Sequence, residues 1–194
     1  MKTPARHRAV LALWPLYALL PLSVLLLSAL LPLPQEAYAD EVGLHSGCVE
    51  LGVAGALTHV EGSTQAQILL RSGPFVAAGP GLVGLQGEFG YTHERDLDRF
   101  EVQGIVSWQR SAWRPELWPY LAVAGGVQVE WLGSFRTTRF PVGADAGVRT
   151  LLGNRASLRL EYRYRRLLDD PVADYDEHRL VLGVSLFLHN QPPS

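Results

Sequence analysis

The chain has 194 residues, of which 47% are hydrophobic and 19% are charged, and its formal net charge is −2. That length suits one domain, and the charge balance excludes a nucleic-acid binder that relies on a basic surface. The single cysteine excludes an intramolecular disulfide framework and a cysteine-rich metal site.

The first segment has the features of an export signal. A basic start precedes residues 9–33, which carry no charge and are rich in leucine, and residues 37–39 form a small-x-small cleavage pattern. We therefore predict a cleaved signal peptide over 1–39 and one domain over 40–194. Two alternatives stay open at this point. The apolar run is long enough to act as an uncleaved anchor, and Cys48 is a weaker candidate for a lipoprotein cysteine.

The mature chain has no segment suited to a transmembrane helix. It contains 14 arginines against 18 acidic residues, a net charge of −4. Its longest uncharged run, 72–87, is interrupted by glycine and proline, whereas a spanning helix needs about 20 apolar residues. Any membrane crossing by the mature chain must therefore use a closed β-barrel.

Apolar and polar residues alternate with a period of two along most of the mature chain, which predicts β-strands. The clearest case is 155–165, where one face is apolar and the other carries Arg159, Glu161 and Arg163. Glycine, proline and aspartate clusters separate such segments. The pattern predicts eight antiparallel strands at roughly 48–60, 64–72, 82–93, 98–109, 118–132, 139–151, 154–166 and 177–189.

The two faces of these strands differ in size and chemistry. One carries large apolar residues, and the other carries glycine and alanine with scattered charges, which suits the narrow interior of an eight-stranded barrel. We predict an all-β, up-and-down transmembrane barrel with the apolar face towards lipid. Its lumen would hold a network of paired charges: Glu50, Arg71, Glu88, Glu101, Glu130, Asp145, Arg149, Arg159, Glu161, Arg163 and Arg179. The alternative is a soluble, lipocalin-like periplasmic barrel that binds an apolar ligand inside.

Aromatic residues cluster at the predicted strand ends, where the interfacial girdles of membrane barrels lie. As a set they favour a lipid-facing outer surface. They are Tyr91, Trp108, Trp113, Trp118, Tyr120, Trp131, Tyr162 and Tyr164.

Four segments resemble the outer-membrane β-barrel domain family, which includes small barrels of the OmpA, OmpX and OmpW kind. They are 83–91, the glycine-rich 119–127, 143–149 and the Arg/Tyr-rich 158–165. The likeness extends over most of 48–189. It implies export through the periplasm to the outer membrane, insertion by the barrel-assembly machinery and a monomeric eight-stranded barrel in contact with lipid and lipopolysaccharide.

The C-terminal tail departs from the family pattern. Family barrels commonly end on an aromatic residue, whereas here the last predicted strand is followed by a polar, proline-containing tail that ends at Ser194. Either barrel recognition tolerates a short tail, or this barrel is assembled differently.

The sequence contains no phosphate-binding loop, dinucleotide fingerprint or zinc-protease motif, and its histidines lack metal-ligand spacing. We therefore predict no catalytic, cofactor or metal site. One enzyme alternative is a lipid-A acyl hydrolase or transferase that uses Ser185 with His178 or His189, or Ser107.

The prediction is a small outer-membrane protein with a structural, envelope-integrity or interaction role, whose lumen is filled and closed to solutes. The segments predicted outside the strands, near 61–63, 94–98, 133–138 and 167–176, are short. The last is acidic and could bind cations or partners through Asp169, Asp170, Asp174, Asp176 and Glu177.

Overall fold

The computed structural model describes residues 44–60, 63–94, 97–153, 155–168 and 175–188. The predicted signal peptide over 1–39 and the C-terminal tail lie outside the described residues. The strands are β1 (Val49–Val60), β2 (Ser63–Ala78), β3 (Gly81–Glu94), β4 (Leu97–Gln109), β5 (Leu117–Leu132), β6 (Phe135–Leu152), β7 (Ala156–Leu168) and β8 (Tyr175–Leu188).

The eight strands form one closed antiparallel barrel, which confirms the predicted fold. Each strand pairs with the next along the chain, and β8 returns to pair with β1, so that Val49 lies opposite Leu188. Closure leaves no strand edge unpaired. We call the end where β1 begins and β8 ends the proximal rim, and the opposite end the distal rim. Among the described residues, no helix is long and apolar enough to cross a membrane.

Two strands are longer than predicted. β2 continues past Gly73 and Pro74 to Ala78, since this glycine allows a close approach: a Cβ on Gly73 would lie 2.0 Å from the Leu85 carbonyl oxygen. β6 starts at Phe135, so most of the predicted loop over 133–138 is strand. The connection is a tight turn that begins at Gly133, whose φ of 59° is the left-handed conformation that glycine adopts without strain.

The outer face is a continuous belt of apolar side chains. Val53, Ile68, Val123 and Leu182 are each more than half exposed although they lie in the middle of strands. The soluble-barrel alternative required these residues to be inside, so its assignment of the two faces is wrong.

An aromatic girdle lies at the distal rim. The Phe100 ring packs 4.8 Å from the Tyr91 ring and 5.4 Å from the Trp131 ring, between centroids. The prediction placed Trp118 and Tyr120 in a girdle too, but both face the interior and are buried. Leu121 of β5 faces outward. Because side chains alternate along a strand, the even-numbered Trp118 and Tyr120 belong to the inner face.

An apolar plug fills the interior at the proximal rim. The segment before β1 continues the pairing with β2, since Gly47 N–H donates to the Phe75 carbonyl (2.7 Å) and Phe75 N–H donates to the Cys48 carbonyl (2.9 Å). This brings Leu44 into the barrel mouth. The buried members of the plug are Leu44, Cys48, Phe75, Leu82, Trp118, Leu151 and Phe187.

Candidate functional site: the charged lumen

All eleven residues of the predicted charge network are buried inside the barrel. The structure adds four inward-facing charged residues that the sequence list left out: Arg99, Arg139, Arg165 and Glu177. Among the described residues the strands thus direct eight arginines and seven carboxylates inward. Burying so many charges is costly unless each is paired and hydrogen-bonded.

The centre of the lumen is organised around Arg163. Its guanidinium donates to Glu161 and to both carboxylate oxygens of Glu88, with the Nη2–Oε2 distance at 2.7 Å. Arg71 bridges the same two carboxylates, at 2.9 Å from Glu88 and 3.3 Å from Glu161. Tyr120 donates its hydroxyl hydrogen to Glu161. Two arginines and two carboxylates therefore join β2, β3 and β7, and Tyr120 adds β5 to this group.

Two further groups extend the network towards the distal rim. Arg165 forms a bidentate pair with Asp145, with its second contact at 3.0 Å. Arg179 contacts Glu101 at 2.6 Å and Glu177. Such forked contacts are the geometry that a planar guanidinium makes best.

At the distal mouth, Arg99 lies between two carboxylates. It contacts Glu130 at 2.6 Å and Glu177 at 3.2 Å. Arg139 also reaches Glu130, at 2.8 Å. Glu177 had been assigned to an acidic loop, but it is an inward-facing residue of β8 and is fully buried. Asp176 is exposed and accepts a hydrogen bond from Tyr164, whereas residues 169–174 lie outside the described residues.

Near the proximal rim, Glu50 is the acceptor for several groups. Arg149 donates to both of its oxygens, at 3.0 and 3.1 Å, and Ser185 and Gln86 also donate to it. The Arg149 guanidinium lies over the rings of Phe75 and Phe187, at 5.2 and 5.3 Å. Cation–π contacts of this kind hold the arginine at the boundary between the charged lumen and the apolar plug.

Ser185 is far from His178, the one candidate catalytic histidine that lies among the described residues. Ser185 faces inward close to the proximal rim, where its hydroxyl donates to Glu50. His178 lies seven residues along the same strand and faces outward, against Tyr162 at 2.6 Å, so a rise of about 3.3 Å per residue separates the two by roughly 23 Å. Ser107 is an inward residue of β4 level with Gly84, and His189 lies outside the described residues.

Within the part of the chain that the structure describes, no group of three or more His, Cys, Asp or Glu side chains is placed to hold a metal ion. Cys48 is buried inside the barrel mouth, a position that does not suit a lipid-modified N-terminal cysteine.

Solved structures with the same architecture include small outer-membrane barrels. Neisserial surface protein A superposes with a TM-score of 0.52 at 13% identity over 72% of this chain and 95% of that chain. The N-terminal barrel domain of Pseudomonas aeruginosa OprF gives 0.57 at 15% identity over 74% and 98%. OprG from the same organism gives 0.52 at 10% over 77% and 100%. No protein-family model matches the sequence, and no curated protein is significantly similar to it. The chain thus has the fold of the small eight-stranded outer-membrane barrels.

Proposed function

We propose that this protein is an integral outer-membrane barrel with a structural or interaction role and a closed lumen, and that it is not an enzyme. The observation that carries the proposal is the division of the strands into two faces. The outside is an apolar belt, while the inside is a packed network of ion pairs. In water this arrangement would expose the belt and bury the charges, whereas in a bilayer both faces are in suitable surroundings.

The strand lengths agree with this proposal. A tilted transmembrane strand needs about 9–11 residues, and the strands here have 12 to 18. The aromatic cluster at Phe100 and the exposed polar residues beyond it, such as His93, occur at one rim, where the headgroup region would lie.

Fractionation tests the location. The full chain is expressed in a Gram-negative host, and its mature N-terminus is determined. We expect the protein in the detergent-extracted outer membrane, with slower gel migration after boiling and with Asp40 as the first residue. Recovery in a detergent-free soluble fraction would contradict the membrane proposal.

Planar-bilayer recording tests the closed lumen separately. Because side chains fill an eight-stranded barrel, we expect no steady conductance steps from the folded protein. A reproducible open channel would show that the network rearranges to leave a pore.

Mass spectra of lipid A from cells with and without the protein test the enzyme alternative, and we expect them to be identical.

A further inference from the structure

Two pairs of arginines lie directly opposite each other on neighbouring strands inside the barrel. Arg163 of β7 is opposite Arg179 of β8, and Arg159 of β7 is opposite Arg149 of β6. Like charges at directly opposed positions repel, and the repulsion is strong where water is excluded. Each pair therefore needs negative charge close by.

The Arg163–Arg179 pair is fully compensated by protein groups. The nitrogens of these two guanidinium groups all have hydrogen-bond partners, and the pair contacts five carboxylates. These are Glu88, Glu101, Asp145, Glu161 and Glu177.

The Arg149–Arg159 pair has fewer carboxylates close to it. Glu50 lies 3.0 Å from Arg149 but 3.6 Å from Arg159. The other carboxylate near Arg159 is Glu161, at 3.9 Å, and it already binds Arg71 and Arg163. In the described strands, each of the other seven inward-facing arginines has a carboxylate oxygen within 3.0 Å, so Arg159 is the least compensated of the eight.

This arginine pair also has unused hydrogen-bond donors. Nε and Nη1 of Arg149 and of Arg159 have no hydrogen-bond partner among the described residues, although each residue is 1% exposed. The two Arg159 nitrogens are the atoms that lie 3.6 Å from Glu50 and 3.9 Å from Glu161, beyond hydrogen-bond distance. Ser157, two residues from Arg159 on the same inner face, adds a buried hydroxyl that also has no partner there.

We propose that this part of the lumen binds a monovalent anion, with chloride as the expected occupant, between Arg149 and Arg159 and within reach of Ser157. A water molecule could accept hydrogen bonds from the same donors but carries no negative charge to compensate the two arginines. A single-atom anion suits the space better than phosphate or sulfate, since side chains fill the interior of an eight-stranded barrel. The proposal goes beyond the closed-lumen function and depends on the interior geometry alone.

The test compares thermal unfolding of the full, refolded protein in uncharged detergent across a series from sodium gluconate to sodium chloride at constant ionic strength. Linkage predicts that Tm rises with the logarithm of the chloride concentration above the dissociation constant, by about 5 °C at a hundred times that constant. The variant Arg159→Gln should lose this dependence and should unfold in gluconate at or above the wild-type temperature, because the repulsion is gone. Arg155→Gln removes the same charge from an exposed position and should keep the chloride response.

Crystals of the wild-type protein soaked in bromide provide a measurement that does not depend on a variant folding. An anomalous peak in contact with Arg149 and Arg159 would support the proposal. A map without that peak, or a wild-type Tm that is equal in chloride and gluconate, would overturn it and would show that water or rearranged side chains satisfy these donors.

Discussion

Replacing Arg163 with methionine measures whether the charges inside the barrel stabilise one another as a network. The arginine is fully buried and contacts Glu88, Glu161 and, at 3.9 Å, Asp145. Methionine keeps an unbranched apolar stem of similar reach but removes the guanidinium group. Two strongly bound carboxylates and one weakly bound carboxylate are then left with less positive charge.

The magnitude follows from what remains after the substitution. Removing one member of a buried ion pair costs about 3–5 kcal/mol. Arg71 still reaches Glu88 and Glu161, at 2.9 and 3.3 Å, so part of the charge stays compensated. We expect the free energy of unfolding to fall by about 4 kcal/mol. Adding Glu88→Gln should recover about 2 kcal/mol relative to the sum of the single changes, because contacting residues are not additive.

The assay is urea unfolding in detergent micelles, followed by tryptophan fluorescence, with the folded fraction checked by gel migration before and after boiling. Arg114→Met, at an exposed position in the β4–β5 connection, is the matched control and should change stability by less than about 0.5 kcal/mol. If Arg163→Met costs less than about 1 kcal/mol, like a surface pair, the lumen is hydrated enough to screen its charges and the reasoning is refuted.

Three further predictions concern packing, hydrogen bonding and the lipid face. Gly143→Ala places a Cβ 1.9 Å from the Tyr164 carbonyl oxygen and should lower the free energy of unfolding by about 2 kcal/mol in the same assay. In the control Gly104→Ala the new Cβ has no atom within 4 Å, so stability should not change. Equal effects of the two variants would contradict the strand spacing. Tyr120→Phe removes a buried hydrogen bond to a carboxylate and should cost about 2 kcal/mol in urea unfolding, and an unchanged midpoint would count against that bond. Leu182→Arg should destabilise the barrel in phospholipid vesicles by about 2–4 kcal/mol, and a neutral result there would mean that this face does not meet lipid.

The alternation of side chains made the fold and the two faces predictable. In β7 the inward positions of Arg159, Glu161 and Arg163 follow from parity alone, and so does the apolar outer face. The same rule applied further would have placed Arg165 and Trp118 inside. Trp118 was assigned to the girdle from its place at a strand end, a weaker indicator than its parity.

The pairing of the charges could not be predicted because it depends on contacts across the lumen. Arg149 and Glu50 are 99 residues apart, and Arg163 and Glu88 are 75 apart. Strand register determines which residues of neighbouring strands lie side by side. Which residues of non-adjacent strands come into contact across the lumen depends on how the barrel closes. Glu177 illustrates the difference. Its place in an acidic stretch of sequence favoured a loop, but in the structure it lies inside the barrel, where it contacts Arg99 and Arg179.

The plug at the proximal rim turns the lone cysteine into a natural reporter of assembly. Cys48 is fully buried among Phe75, Phe187 and their neighbours, so alkylating reagents reach its thiol in chains whose barrel has not closed. Because the chain has a single cysteine, each unprotected copy takes one label at one known position. The kinetics of insertion can thus be followed in the unmodified protein by counting the chains that a maleimide still reaches.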